Sequence, residues 1–70
     1  MQVEVLSARG TRMTARRVGD SIVFLYRGRE LACLPLEAIL RRKAGLHLTR
    51  DEDPAFWLDY ETLSLVIAVL

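Results

Sequence analysis

Glycine turns divide the first half of the chain into short extended segments, and the spacing of these turns constrains the fold more than any other feature. The segments are residues 2–7, 11–18, 21–26 and 30–34. The first two alternate apolar and polar residues, whereas the third is continuously apolar, as expected of a central strand. Turns at Gly19 and Gly28 lie nine residues apart, a spacing typical of antiparallel hairpins. We therefore predict a small antiparallel sheet of three to four strands, arranged as a β-meander.

The pattern changes to a helical period after Pro35, a residue that suits the first turn of a helix. Apolar residues then recur at the i, i+3 and i+4 spacing of one helix face. They are Leu36, Ile39 and Leu40. Because Gly45 is a stop signal, the sequence predicts a helix over 36–44.

The next segment allows two interpretations. Residues 46–49 alternate like a short strand, and residues 55–58 could pair back on them as another strand. Alternatively, Asp53 could cap one long helix that runs to the end of the sequence.

The last segment favours a helix that begins at Asp59. Four apolar residues occupy one face at i, i+3, i+4 and i+7. They are Leu63, Val66, Ile67 and Leu70. A buried strand is the alternative, because several of these residues are β-branched. Together the elements predict a single α+β domain over 1–70, with two helices packed on one face of the sheet.

A chain of 70 residues can bury only a limited core, so a further source of stability is expected. Cys33 is the only cysteine and is interpreted as a small buried hydrophobe, and His47 is the only histidine. We therefore expect no disulfide, metal or other cofactor. Self-association remains, and we predict a homodimer whose interface is the apolar face of the last helix. That interface comprises Leu63, Val66, Ile67 and Leu70.

The charge distribution indicates a binding surface. All ten cations lie in residues 1–50, and five of the nine acids lie in residues 51–70. The leading hypothesis is a non-enzymatic protein-binding module that acts as a regulator, adaptor or inhibitor by docking on a larger partner. Its predicted contacts are Arg12, Arg16, Arg27, Arg29, Phe56 and Trp57.

An RNA- or DNA-binding regulator is the alternative hypothesis, because arginine clusters neutralise phosphates. Its predicted contacts are Arg16, Arg17, Arg41, Arg42 and Lys43. Base-stacking aromatics are few, and an ordinary solvated arginine face is a further interpretation. A third hypothesis is a subunit whose only task is assembly.

The segment from Thr14 to Val23 resembles the opening strand of the carbon storage regulator family. The resemblance implies a small dimer with interleaved strands that binds messenger RNA, with Arg16 and Arg17 among the contacts. It covers ten of the 70 residues. The family's segment begins its chain, whereas thirteen residues precede it here, and a predicted helix follows Pro35 where the family continues in strands.

Catalytic and membrane-targeting patterns are absent from the sequence. One cysteine, one histidine and four separate glycines form no motif of nucleophilic catalysis or phosphate binding, so we expect no enzyme. The first residues lack a basic start and a long apolar run, so we expect a soluble, cytoplasmic protein. The acidic run at 51–53 is interpreted as a solvated turn.

Overall fold

A computed structural model describes residues 1–70 as an α+β fold. Its main sheet is antiparallel, with four strands in the order β1-β2-β3-β4. These strands are β1 (Gln2–Leu6), β2 (Arg12–Val18), β3 (Ser21–Tyr26) and β4 (Arg29–Pro35). The predicted meander is confirmed, because each strand pairs with its neighbour in sequence.

The second half of the chain forms two helices and a small two-stranded sheet. Its elements are α1 (Leu36–Leu40), β5 (Gly45–His47), β6 (Trp57–Asp59) and α2 (Tyr60–Val69), with a 3₁₀ turn at Pro54–Phe56 before β6. Asp59 caps α2 by accepting a hydrogen bond from the Thr62 backbone N–H at 2.8 Å. The predicted terminal helix is confirmed, and the alternative of one long helix from Asp53 is wrong.

Strand alternation places one apolar face of the main sheet against the helices. The inward side chains of β1, β2 and β3 are almost completely buried. They are Val5, Met13, Ala15, Ile22 and Phe24. Ile39 of α1, Leu63 and Val66 of α2, and Leu58 of β6 complete the same core. Both helices therefore cover one face of the sheet, as the sequence predicted.

Two expectations are corrected by the structure. The first helix ends at Leu40 rather than at residue 44, because the Arg42 backbone N–H turns back to the Ile39 carbonyl at 2.9 Å and the chain swings into β5. Cys33 is exposed rather than buried. It pairs with Val23 on the face of the sheet that no helix covers, and the apolar run around it concealed that orientation.

Position 45 requires a glycine, because the aromatic ring of Trp57 lies against it. Its φ is +127°, a value that L-residues with a side chain rarely adopt. A Cβ atom placed there would lie 2.4 Å from an atom of the Trp57 ring and 2.6 Å from the Leu58 carbonyl oxygen. The absence of a side chain thus lets the Trp57 indole lie against β5 at Gly45 while β5 and β6 pair.

We predict that Gly45→Ala lowers the free energy of unfolding by about 2–5 kcal/mol, since backbone strain and overpacking act together. Chemical denaturation with an unchanged m-value measures this. Gly19→Ala is the matched control, because Gly19 also has a positive φ (+60°) but nothing within 4 Å of the added Cβ. Its expected cost is about 1 kcal/mol. Equal losses in the two variants would contradict the packing argument.

Candidate functional site

β1 is a regular edge strand with one side of its backbone unpaired. It pairs with β2 over five residues without a register shift and has no partner on its other side. The Met1 carbonyl accepts from the Arg17 N–H, and the Ser7 N–H donates to the Thr11 carbonyl. The backbone N–H and C=O groups of the odd-numbered residues of β1 therefore bond to β2. Because the ladder alternates, those of the even-numbered residues point outward, away from β2. Those residues are Gln2, Glu4 and Leu6.

The opposite edge, β4, is less suited to pairing with another chain. A register shift between Phe24 and Leu25 places a bulge in β4, and the strand ends at Pro35, which has no N–H to donate. Bulges and prolines are devices that protect sheet edges. The regular edge of β1 is thus the open one.

An apolar groove separates this edge from α2. We call it the β1–α2 groove. Its lining residues are Val3, Glu4, Val5, Leu6, Thr62, Leu65, Val66 and Val69. The cavity measures about 290 Å³, and the side chains of Leu65 and Val69 are 66% and 54% exposed. Such a surface on a small domain indicates an interaction site.

Two adjacent stripes of α2 explain the groove. Leu63 and Val66 turn inward and are buried in the core. Thr62, Leu65 and Val69 fall on the neighbouring stripe, which reaches past the sheet toward β1. Because the helix carries no charged residue after Glu61, its outward stripe stays apolar.

The Asp59 carboxylate holds the first turn of α2. The backbone N–H of Thr62, and secondarily its hydroxyl, bond to this carboxylate and lower the pKa of Asp59 below its ordinary value of 3.8. Asp59 is thereby a charged N-cap, which also suits the positive end of the helix.

Glu4 is the only charged residue that lines the groove. Its carboxylate lies 3.6 Å from the Arg12 guanidinium, in an exposed pair on the open face of the sheet. Exposed pairs of this kind are weak, so Glu4 remains able to meet another cation.

The arginines predicted to bind a partner lie on β2 and around the β3–β4 turn. Arg12 and Arg16 occupy the open face of β2. Arg27 lies over the Tyr26 ring at 5.2 Å, and Arg29 begins β4 beyond the same turn. Only Arg12 of these four takes part in an ion pair.

The residues of the nucleic-acid hypothesis lie on β2 and in the turn after α1. Arg17 contacts Asp20 at 3.8 Å and donates to the Gly19 and Leu70 carbonyls. Arg41, Arg42 and Lys43 are exposed in the turn that follows α1.

Phe56 and Trp57 lie in different environments, and both are partly buried. Phe56 packs edge-on against Tyr26, with ring centroids 5.1 Å apart, and joins the core. Trp57 packs against His47 at 4.5 Å and covers Gly45.

The residues of the predicted dimer interface contribute to the core of one chain. Leu63 and Val66 are buried, and Ile67 and Leu70 pack against the core. Dimerisation stays a prediction, but the large aliphatic side chains of α2 that are exposed, Leu65 and Val69, lie outside the predicted interface. Val3 and Leu6 could not be assigned to this surface from the sequence, because a predicted meander makes β1 an edge strand without showing that α2 lies beside it.

No protein-family model matches the chain, and no significant match was found among curated proteins or solved structures. No helix has the length and apolar character needed to cross a bilayer. No group of three or more His, Cys, Asp and Glu side chains is arranged to hold a metal ion.

We predict that Asp59→Asn flattens the acid limb of the stability profile. The pKa of Asp59 is lower in the folded state than in the unfolded state, so the ionised carboxylate stabilises the fold at pH values above the ordinary pKa. This stabilisation is lost as the pH falls through the lowered pKa. The melting temperature of the wild type should exceed that of the variant near pH 6, and the difference should shrink as the pH falls below the ordinary pKa of 3.8. Glu61→Gln, which removes a first-turn charge without the cap, is the control and should change the profile less. Parallel curves for the wild type and Asp59→Asn would contradict this role.

Proposed function

We propose that the chain is a non-enzymatic protein-binding module that accepts an extended segment of a larger partner as an added strand beside β1. Regulators, adaptors and inhibitors of small size act by such docking. The single observation that carries the proposal is the coincidence of an unpaired, regular strand edge with an exposed apolar groove. Edge hydrogen bonds supply affinity in this recognition mode, and pockets for alternate side chains supply specificity.

Strand geometry determines which partner residues would enter the groove. Alternate side chains of an added strand point to the two faces of the sheet. Those on the inner face would rest on Leu65 and Val69, so they should be apolar. Those on the outer face would lie beside Gln2, Glu4 and Leu6.

Charge favours a basic segment over a second copy of the chain. A lysine or arginine on the outer face would lie beside Glu4, and opposite charges on neighbouring strands stabilise pairing. Full antiparallel pairing of β1 with another β1 would place two Glu4 side chains opposite each other, which is destabilising. The expected ligand is therefore an extended segment that alternates apolar and basic residues.

A capped seven-residue peptide of alternating valine and lysine is the probe for this proposal. It should produce saturable shifts in the NMR resonances of the Gln2, Glu4 and Leu6 amides and slow their hydrogen exchange. A peptide that alternates valine and glutamate should bind at least tenfold more weakly. Absence of saturable shifts with the basic peptide would overturn the proposal.

We predict that Leu65→Asp weakens binding of the valine–lysine peptide at least tenfold, because it places a charge on the apolar wall of the groove; tenfold corresponds to about 1.4 kcal/mol. Leu40→Asp is the matched control, since Leu40 is an exposed helical leucine (56%) outside the groove. The Leu40→Asp variant should bind the peptide with the affinity of the wild type. Calorimetric titration measures both.

Glu4→Pro tests the edge itself. Proline removes the outward N–H at position 4 and leaves the bonds to β2 intact, so the fold should persist. Affinity should fall about tenfold, near the upper value of one hydrogen bond. Glu4→Gln separates the loss of charge from the loss of the donor. If Glu4→Pro bound the peptide as tightly as Glu4→Gln does, strand addition would be contradicted. If a second copy of the chain occupied the edge instead, sedimentation would show a concentration-dependent dimer that Glu4→Pro dissociates.

A further inference from the structure

A second cavity, polar and basic, lies beside the β5–β6 pair and shares no residue with the β1–α2 groove. We call it the basic cavity, and it measures about 280 Å³. The residues of its lining that concern ligand binding are Arg42, His47, Thr49, Arg50, Glu52 and Trp57. From it we infer a binding site for a phosphate group.

Both arginines of the cavity are uncompensated. The structure contains two ion pairs, Arg12–Glu4 and Arg17–Asp20, and neither includes Arg42 or Arg50. Glu52 borders the same cavity but lies beyond 4.0 Å from both guanidinium groups. Two arginines thus line one concave surface, and neither forms an ion pair.

The carboxylates of Asp51 and Asp53, which follow Arg50 in the sequence, accept hydrogen bonds within their own turn. Asp51 accepts from the Asp53 backbone N–H at 3.3 Å, and Asp53 accepts from the Ala55 N–H at 2.9 Å. Hydrogen bonds from the Thr49 hydroxyl and from that Asp53 N–H lower the pKa of Asp51. The acidic run therefore organises the turn that carries Arg50, and it leaves the arginine free.

His47 supplies a further polar wall. Its ring packs against Trp57 at 4.5 Å, and its Nδ1 atom is buried with no hydrogen-bond partner. An unsatisfied buried polar atom is uncommon in folded proteins, and at functional sites an ion or water accounts for some cases.

Phosphate is the ligand chemistry that fits this set of groups. Guanidinium groups bind phosphate oxygens through paired, charge-assisted hydrogen bonds, which are stronger than neutral ones. The cavity exceeds the size of one phosphate, and the Trp57 indole borders the remaining space. The phosphate can therefore be free or can belong to a small organic monoester whose apolar part contacts the indole.

NMR titration of the full chain with inorganic phosphate and with phenyl phosphate tests this inference. Saturable shifts at Gly45, His47 and Arg50 are expected, with a dissociation constant below about 10 mM. Arg42→Gln and Arg50→Gln should each weaken binding at least tenfold while retaining the dispersed spectrum of a folded protein. Arg29→Gln, at the β3–β4 turn, is the matched control and should bind as the wild type does.

The two ligands distinguish the sources of phosphate. Equal affinity for both ligands identifies free phosphate, and tighter binding of phenyl phosphate identifies an organic monoester. Shifts that do not saturate, or affinities of Arg42→Gln and Arg50→Gln within twofold of the wild type, would overturn the site. Valine–lysine peptide binding by the same variants is independent of this outcome, because the groove lies elsewhere.

Discussion

Packing around the central strand β3 is the interaction on which the rest of the molecule depends. The largest fully buried side chains come from β3, which supplies two, and from α1, β6 and α2, which supply one each. They are Ile22, Phe24, Ile39, Leu58 and Leu63. Since a small domain has little apolar area to bury, this cluster must gather every element of the second half on one face of the sheet. The other face stays open and carries Arg12 and Arg16.

The position of α2 follows from that packing and produces the groove. A helix that is apolar around most of its circumference cannot bury all of its surface against one side of a four-stranded sheet. Leu63 and Val66 take the buried stripe, and Leu65 and Val69 remain outside beside the edge of β1. The apolar surface that the core leaves uncovered thus meets the backbone groups that the sheet leaves unpaired. The proposed docking function rests on that meeting.

Local chemistry also shapes the segment between the helices. The β5–β6 pair closes because Gly45 leaves room for the Trp57 ring. The carboxylates of Asp51 and Asp53 accept hydrogen bonds from main-chain N–H groups of their own turn, and neither forms an ion pair with an arginine. In a sequence that is nearly neutral overall, the basic cavity thus carries two arginines, Arg42 and Arg50, that form no ion pair.

Sequence reasoning succeeded where a local pattern was sufficient. The alternation in β1 and β2 and the capping of α2 by Asp59 each appear in a short window of residues. It failed where the outcome depends on distant partners. The length of α1 is set by the turn into β5, and Cys33 is exposed because it lies on the edge strand β4, on the face that the helices leave uncovered. The placement of Phe56 in the core and of Trp57 over Gly45 likewise depends on contacts outside the segment.

The candidate sites show the same division. The sequence identified an apolar terminal helix and an excess of arginine in the first fifty residues. It did not indicate that α2 would lie beside the edge of β1, nor that Arg42 and Arg50 would border one cavity.

The sequence by itself determined the strands, the turns and the capped terminal helix, because periodicity, glycine and capping side chains act over a few residues. Only the tertiary structure decided which stripe of α2 is buried, which edge of the sheet α2 lies beside and which arginines form no ion pair. The physical reason is that burial, pairing and charge compensation are relations between residues far apart in the chain, and folding settles them together.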